Sequence, residues 1–265
     1  MTTPEAAGRV TLRTEAGVAW ITFDRPAARN AMTWAMYEQL SGICQQLQQD
    51  HSVRVAVFRG AGGQAFVAGT DIEQFLAFKS GDDGVAYERR IEAGIVEMCS
   101  LPMPTVAVVE GFAVGGGLLL ATCCDFRLAT PDAQFGVPIA RTLGNCLSLE
   151  NLARLRSAWG PQRMRRMLML AELLGAPEAL ACGYLHAVAE PAELDAATGK
   201  LVQQLAALAP VTQRVSKAGL QRLQMHEVPP EGSGDDLIRA AYGSADFAEG
   251  VSAFVGKRRP AWKGC

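Results

Sequence analysis

Gly111-Phe112-Ala113-Val114-Gly115-Gly116-Gly117-Leu118-Leu119-Leu120 sets three consecutive glycines at the opening of an apolar helix. The stretch before it, Thr105 to Val109, reads as a compact apolar strand that ends at Glu110-Gly111. A strand leading through a glycine turn into a helix is the building unit of a β/α fold with a parallel sheet. The turn also has chemical potential. The first N–H groups of a helix find no acceptor within it, and the helix dipole adds positive potential at that end. Glycines expose this backbone, so the turn suits an anion or an oxyanion. A phosphate loop is a competing reading, but its Gly-Lys-Ser/Thr ending is missing, as is the GxGxxG spacing of a dinucleotide site. Close packing of helix against sheet is the plain structural alternative.

A second loop lies upstream, Gly63-Gln64-Ala65-Phe66-Val67-Ala68-Gly69-Thr70-Asp71-Ile72, between an apolar strand at 53–59 and a helix expected at 71–78. Small residues at 68 and 69 let a ligand approach the main chain. Asp71 stands where a helix begins, so it also fits a simple cap. Further upstream, Val10-Thr11-Leu12-Arg13-Thr14 and Val18-Ala19-Trp20-Ile21-Thr22-Phe23 alternate around Glu15-Ala16-Gly17, the pattern of a hairpin. Met36, Leu40, Ile43, Cys44 and Leu47 then recur at helical spacing. Downstream, Arg127-Leu128-Ala129 continues a third strand, and from Leu149 onward helices are expected at 149–158, 161–174, 191–208, 211–225 and 235–257. Val228-Pro229-Pro230-Glu231-Gly232-Ser233-Gly234 reads as a loop. The fold class is α/β, with a β/α core over 1–190 and a helical region over 191–265.

Bulk properties narrow the partners. The 265 residues suit one large domain, and 49% hydrophobic with 20% charged residues is ordinary globular composition. A net charge of −2 argues against nucleic acid, and Lys257-Arg258-Arg259 is too short a basic run to change that. The longest apolar run, 114–124, carries three glycines and falls far short of a membrane span. Met1-Thr2-Thr3-Pro4-Glu5 shows no secretion signal. Seven cysteines form no CxxC pair, and His51, His186 and His226 stand far apart, so no metal is expected and the thiols fit a reducing cytoplasm.

Taken together the loops resemble those of the crotonase superfamily, the enoyl-CoA hydratase/isomerase group. The resemblance extends over Phe23-Asp24-Arg25-Pro26-Ala27-Ala28-Arg29-Asn30-Ala31-Met32, the Ala65–Ile72 and Gly111–Gly117 loops, Cys124-Asp125-Phe126-Arg127-Leu128-Ala129, Phe135-Gly136-Val137-Pro138, and a tail from Glu249 to Arg258. It implies a crotonase-like ββα spiral core with a C-terminal helical trimerisation region, assembled as a homotrimer or a dimer of trimers. It implies an acyl-CoA substrate, with coenzyme A as part of that substrate and no permanent cofactor. The oxyanion donors carry over to the backbone N–H groups of Thr70 and Gly116. Main-chain atoms do this work, so a threonine at 70 is compatible with it. The CoA moiety carries over to Ala28, Ala68, Asp71 and Ile72, with Phe254 and Lys257 near the nucleotide. Lys257 also fits a solvated helix end.

One departure from the family stands out. Its hydratases hold water between two glutamates, one two residues after the glycine triplet and one after the proline of Phe-Gly-x-Pro. Here those positions are Leu119 and Ile139, and no carboxylate lies between Val137 and Leu143. Simple enoyl-CoA hydration is therefore not expected, since it needs both an acid and a base on one face. Substitute polar groups are Arg141 and Asn145, Cys146 as a nucleophile, and Tyr87, Glu88 or Glu92 on the helix before Pro102. Isomerisation, decarboxylation and thioester hydrolysis remain open. So does a catalytically reduced acyl-CoA-binding paralogue or structural subunit.

Overall fold

A computed structural model describes residues 8–225 and 230–264. The expected start at Met1-Thr2-Thr3-Pro4-Glu5, the loop positions Val228 and Pro229, His226 and Cys265 lie outside the described residues. The chain opens with β1 (Arg9–Glu15) and β2 (Val18–Asp24), an antiparallel pair registered from Arg9 opposite Asp24 to Glu15 opposite Val18. Ala16 and Gly17 join them with φ of +49° and +75°, the left-handed pair that a two-residue hairpin turn demands. A 3-10 turn at Pro26–Ala28 follows, then α1 (Trp34–Gln49), whose N-cap Thr33 accepts from the Met36 N–H. Its buried stripe is Met36, Leu40, Ile43, Cys44 and Leu47, the residues at helical spacing in the sequence.

The chain then repeats one motif. β3 (Val55–Gly60) and β4 (Ala65–Val67) lead through a 3-10 helix, Ile72–Ala77, into α2 (Gly81–Cys99). β5 (Thr105–Val109) and β6 (Phe112–Val114) lead into α3 (Gly116–Cys123). β7 (Phe126–Ala129) and β8 (Gln134–Gly136) lead into α4 (Ile139–Thr142), α5 (Leu149–Trp159) and α6 (Pro161–Met169). β9 (Leu173–Gly175), α7 (Ala176–Ala181) and β10 (Ala187–Val188) close the series. In these three turns the first strand (β3, β5, β7) joins a six-stranded sheet, β1-β2-β3-β5-β7-β10, and the second (β4, β6, β8) joins a four-stranded sheet, β4-β6-β8-β9. All pairings are parallel except β1 with β2 and β8 with β9. The result is a ββα spiral.

Alternation along the central strands explains the layers. Ala56 and Phe58 of β3 face the main core with Ala107 and Val109, whereas Val55, Val57, Val106 and Val108 face a second cluster. That cluster is closed by Leu194, Leu201, Val202 and Leu205 of α8 (Leu194–Ala207). α9 (Pro210–Met225) leaves Val211, Val215, Leu220 and Leu223 exposed. It contributes Lys217, whose ammonium is 2.8 Å from Asp125; the same carboxylate accepts from the Thr105 N–H at 2.8 Å. Asp125 thus ties β5, β7 and α9 together.

Three expectations change. The helix expected over 235–257 is two helices, α10 (Asp235–Tyr242) and α11 (Ala245–Val255), because Ser244 caps the second by accepting from the Phe247 N–H. The helix expected over 161–174 stops at Met169, and Leu173–Gly175 turns into a strand. The helix expected over 71–78 is the 3-10 segment, capped by Asp71.

The fit of α3 on β4 depends on Gly117. A Cβ there would lie 1.8 Å from the Val67 carbonyl oxygen, which is main chain and cannot swing aside. Gly117→Ala should therefore destabilise the fold by about 1–3 kcal/mol or more, the usual range for overpacking. A denaturant midpoint equal to wild type would contradict this seating of the helix.

Candidate active site

The two glycine loops meet. Met32 pairs with Thr70 in a parallel bridge: the Met32 N–H donates to the Gly69 carbonyl at 2.8 Å, and the Asp71 N–H donates to the Met32 carbonyl at 2.9 Å. In such a ladder the bridged residue's own N–H points the other way. That side holds the Gly115–Gly116 turn. A Cβ built on Gly116 would lie 3.6 Å from the Thr70 hydroxyl oxygen and 4.0 Å from the Gly69 carbonyl carbon. Gly115 takes φ +56°, donates its N–H to the Gly136 carbonyl at 2.9 Å, and accepts from Leu118 and Leu119. As the first residue of α3, Gly116 has an N–H with no acceptor inside its own helix.

Asn30 secures the first loop. It is fully buried, accepts from the Arg25 N–H at 2.9 Å, and donates to the carbonyls of Ala61 and Ala65 at 2.9 and 2.8 Å. The segment of the Arg-Pro motif is thereby pinned to the turn between β3 and β4. The Ala68 N–H completes the tie by donating to Arg29 at 3.0 Å. The Thr70 hydroxyl is also held, 2.8 Å from both the Tyr37 and the Tyr87 hydroxyl oxygens. Burial lifts the Tyr37 phenol to about 12 and the Tyr87 phenol well above its ordinary value, so both are hydrogen-bonding phenols rather than bases at neutral pH.

A cavity of about 170 Å³ opens beside these N–H groups. Ala68, Thr70, Ile72 and Gly116 line it, and so do Leu119, Ile139, Asn145 and Phe254. The structure thus brings together both loops, Leu119 and Ile139, and one residue of the tail. Of the other residues singled out in the sequence, Tyr87 and Glu88 also line the cavity and the rest lie elsewhere. Asp71 caps the 3-10 helix and pairs with Arg25 at 2.8 Å, and Ala28 ends the Pro26–Ala28 turn. Lys257 is exposed, with φ +50°, just beyond α11. Arg141 is exposed and outside the cavity wall. Glu92 is held by Arg154, whose Nη1 donates to it at 2.7 Å, and does not line the cavity. Burial raises the Cys146 thiol to about 12, which removes it as a ready nucleophile.

Glu88 is the residue whose importance the structure raises. It is 3% exposed and lines the cavity. Its carboxyl accepts from the Tyr242 hydroxyl at 2.7 Å and from the Ser148 N–H at 3.1 Å. Tyr242 in turn accepts from the Asn145 amide at 3.1 Å, while the Asn145 carbonyl oxygen is buried without a partner among the described residues. Burial drives the Glu88 carboxyl up to about 7, against the two hydrogen bonds that favour its charged form. The groups facing it are Tyr37, Tyr87 and Tyr242, the Cys146 thiol, and Glu92 with its partner Arg154.

The shift has a consequence for stability. From pH 4.5 to about 7 the folded chain keeps a proton that the unfolded chain releases. The associated stability is full below that window and is lost as pH rises through it. Relative to Glu88→Gln, wild type should lose up to about 1.4 kcal/mol per pH unit there. Melting temperatures of both proteins across the window would test this; a constant difference would contradict it.

Comparison with known proteins agrees with the geometry. The family model described as enoyl-CoA hydratase/isomerase matches residues 13–265. The chain belongs to the enoyl-CoA hydratase/isomerase family. It is 32% identical over 256 residues to the bovine (Bos taurus) mitochondrial enoyl-CoA hydratase domain-containing protein 2, covering 94% of this chain and 85% of that one. It is 29% identical to a short-chain-enoyl-CoA hydratase of Clostridium acetobutylicum, covering 94% and 95%. Among solved structures, methylmalonyl-CoA decarboxylase in complex with 2-nitronate-propionyl-CoA superposes with a TM-score of 0.87 at 26% identity, covering 97% and 99%. Family members act on CoA thioesters, and the fold is that of the crotonases. Among the described residues no helix is long and apolar enough to cross a membrane.

Proposed function

We propose that this family member binds an acyl-CoA with its thioester oxygen between the Thr70 and Gly116 N–H groups, and that it moves a proton on the acyl group rather than adding water. The observation that supports this reading is the approach of the Gly116 backbone to Thr70 beside a cavity whose wall includes both residues together with Leu119 and Ile139. Taking a proton from the carbon beside a thioester puts negative charge on the carbonyl oxygen. Fixed donors aimed there favour the transition state over the ground state. Each such donor contributes about 2.7–4 kcal/mol. Water addition would need an acid and a base where these apolar side chains stand.

In this reading the CoA chain follows Ala28, Ala68, Asp71 and Ile72, and Phe254 with Lys257 approaches the nucleotide. The protein assembles as a homotrimer or a dimer of trimers, and the uncovered apolar row on α9 supports assembly. A decarboxylase reading has one specific support, the likeness to methylmalonyl-CoA decarboxylase. Loss of carbon dioxide leaves the same enolate without a base. Glu88 in the wall weighs against an anionic acyl end whenever it is ionised.

The test is a panel of crotonyl-, 3-enoyl-, malonyl-type and aromatic acyl-CoAs offered to the purified protein. Conversion of a 3-enoyl to a 2-enoyl thioester is expected. Decarboxylation of a malonyl-type thioester alone would select the second reading, and thioester binding without turnover would select a catalytically reduced paralogue.

A further inference from the structure

We propose that Glu88 is the proton carrier of this site and exchanges its proton with water through a second cavity behind it. The assignment rests on the enolate reading above and adds the group that reading lacks. Among the described residues lining the acyl cavity, Glu88 alone carries a carboxyl group. The same side chain forms part of the wall of a separate cavity of about 370 Å³. Glu92, Glu150, Glu231 and Asp235 line that second space, with Arg89 paired to Asp235 at 2.8 Å. Glu88 is therefore a partition, with an acyl chamber on one side and an acidic chamber on the other.

Its placement is built from three elements. α2 supplies the side chain, Tyr242 of α10 donates to one oxygen, and the Ser148 N–H at the start of α5 donates to the other. α10 comes close enough because Gly84 leaves room for it: a Cβ there would lie 2.3 Å from the Tyr242 ring. These contacts lock the carboxyl in one orientation, as a positioned acid–base requires.

The chemistry balances with this one group. Ionised Glu88 takes the proton from the carbon beside the thioester, so that C–H bond breaks and an O–H bond forms on the carboxyl. The freed electron pair makes the enolate double bond, and the carbonyl pair moves to the oxygen held by Thr70 and Gly116. Protonated Glu88 then returns the proton to the same carbon, or to the γ-carbon of a 3-enoyl chain, which shifts the double bond into conjugation. Between these steps the carboxyl can trade its proton with water through the second cavity. A carboxyl raised to about 7 populates both forms at neutral pH, as a group that must both take and give a proton requires.

The experiment follows deuterium entry at C2 of butyryl-CoA and isomerisation of a 3-enoyl-CoA in heavy water, using the full-length protein. Glu88→Gln should lower both rates about 10²–10⁴-fold with thioester binding unchanged. Wild-type exchange should rise with pH and level off above the carboxyl's ionisation. Tyr242→Phe removes a donor to the carboxylate, so it should move that midpoint upward, an effect a merely structural role would not produce and one that does not depend on the folding of Glu88→Gln. Ala93→Phe, at the wall of the second cavity, should lower deuterium wash-in relative to isomerisation. Wild-type exchange rates in Glu88→Gln would overturn the assignment while leaving the enolate reading intact. A wild-type protein that binds thioesters but catalyses neither reaction would overturn the enolate reading and this inference with it. Unchanged wash-in in Ala93→Phe would overturn the exchange route.

Discussion

Gly116→Pro should lower turnover of any enolate-forming thioester about 10²–10³-fold, the loss measured when one oxyanion donor is removed. Proline has no N–H to give, and the first helical position is the one where a helix tolerates it. Gly116 occupies that position in α3. The substitution also brings in a Cβ, 3.1 Å from the Tyr37 hydroxyl. Gly116→Ala adds the same carbon and keeps the N–H, so it separates crowding from loss of the donor. The alanine variant should keep most of the turnover and the proline variant should not. Equal losses in the two would take the donor role away from Gly116.

Crotonyl-CoA should be a poor substrate for hydration. A positioned acid or base contributes about 10²–10⁴ in rate, and the resemblance sets Leu119 and Ile139 where the family's hydratases carry two glutamates. Both side chains line the acyl cavity, so their apolar character bears directly on the space a water would need. Glu88 is one carboxyl, and adding water across a double bond calls for a base toward the water and an acid toward the carbon. Hydration rates compared with those of a two-glutamate hydratase would check this. Equal rates would mean that other groups activate water here.

Much of this site is written in short-range signals. The Gly115-Gly116-Gly117 turn, the Ala68-Gly69-Thr70-Asp71 loop and the hairpin around Ala16-Gly17 are local: a glycine at positive φ and an alternating strand are visible within ten residues. The four-stranded sheet is not visible in that way. Ala65–Val67, Phe112–Val114, Gln134–Gly136 and Leu173–Gly175 are each three residues long, too short for a periodic signal. The break between α10 and α11 had a signal, Gly243-Ser244, that helical periodicity on both sides masks. The chemistry divides along the same line. The proposed backbone donors follow from a motif, whereas the state of Glu88 depends on Tyr242, 154 residues away, and on burial that no local pattern reports. Glu92 lies one turn along the same helix, and the sequence offers no way to choose between them. The choice comes from Arg154, which takes Glu92, and from the cavity wall, which takes Glu88.

The measurement that decides between enolate chemistry and hydration is proton exchange at C2 of a saturated acyl-CoA in heavy water, read alongside hydration of crotonyl-CoA by the same preparation. Deuterium is expected at C2, lost in Gly116→Pro, with hydration far below that of a two-glutamate hydratase. Efficient hydration, or exchange that survives the loss of the Gly116 N–H, would contradict this expectation.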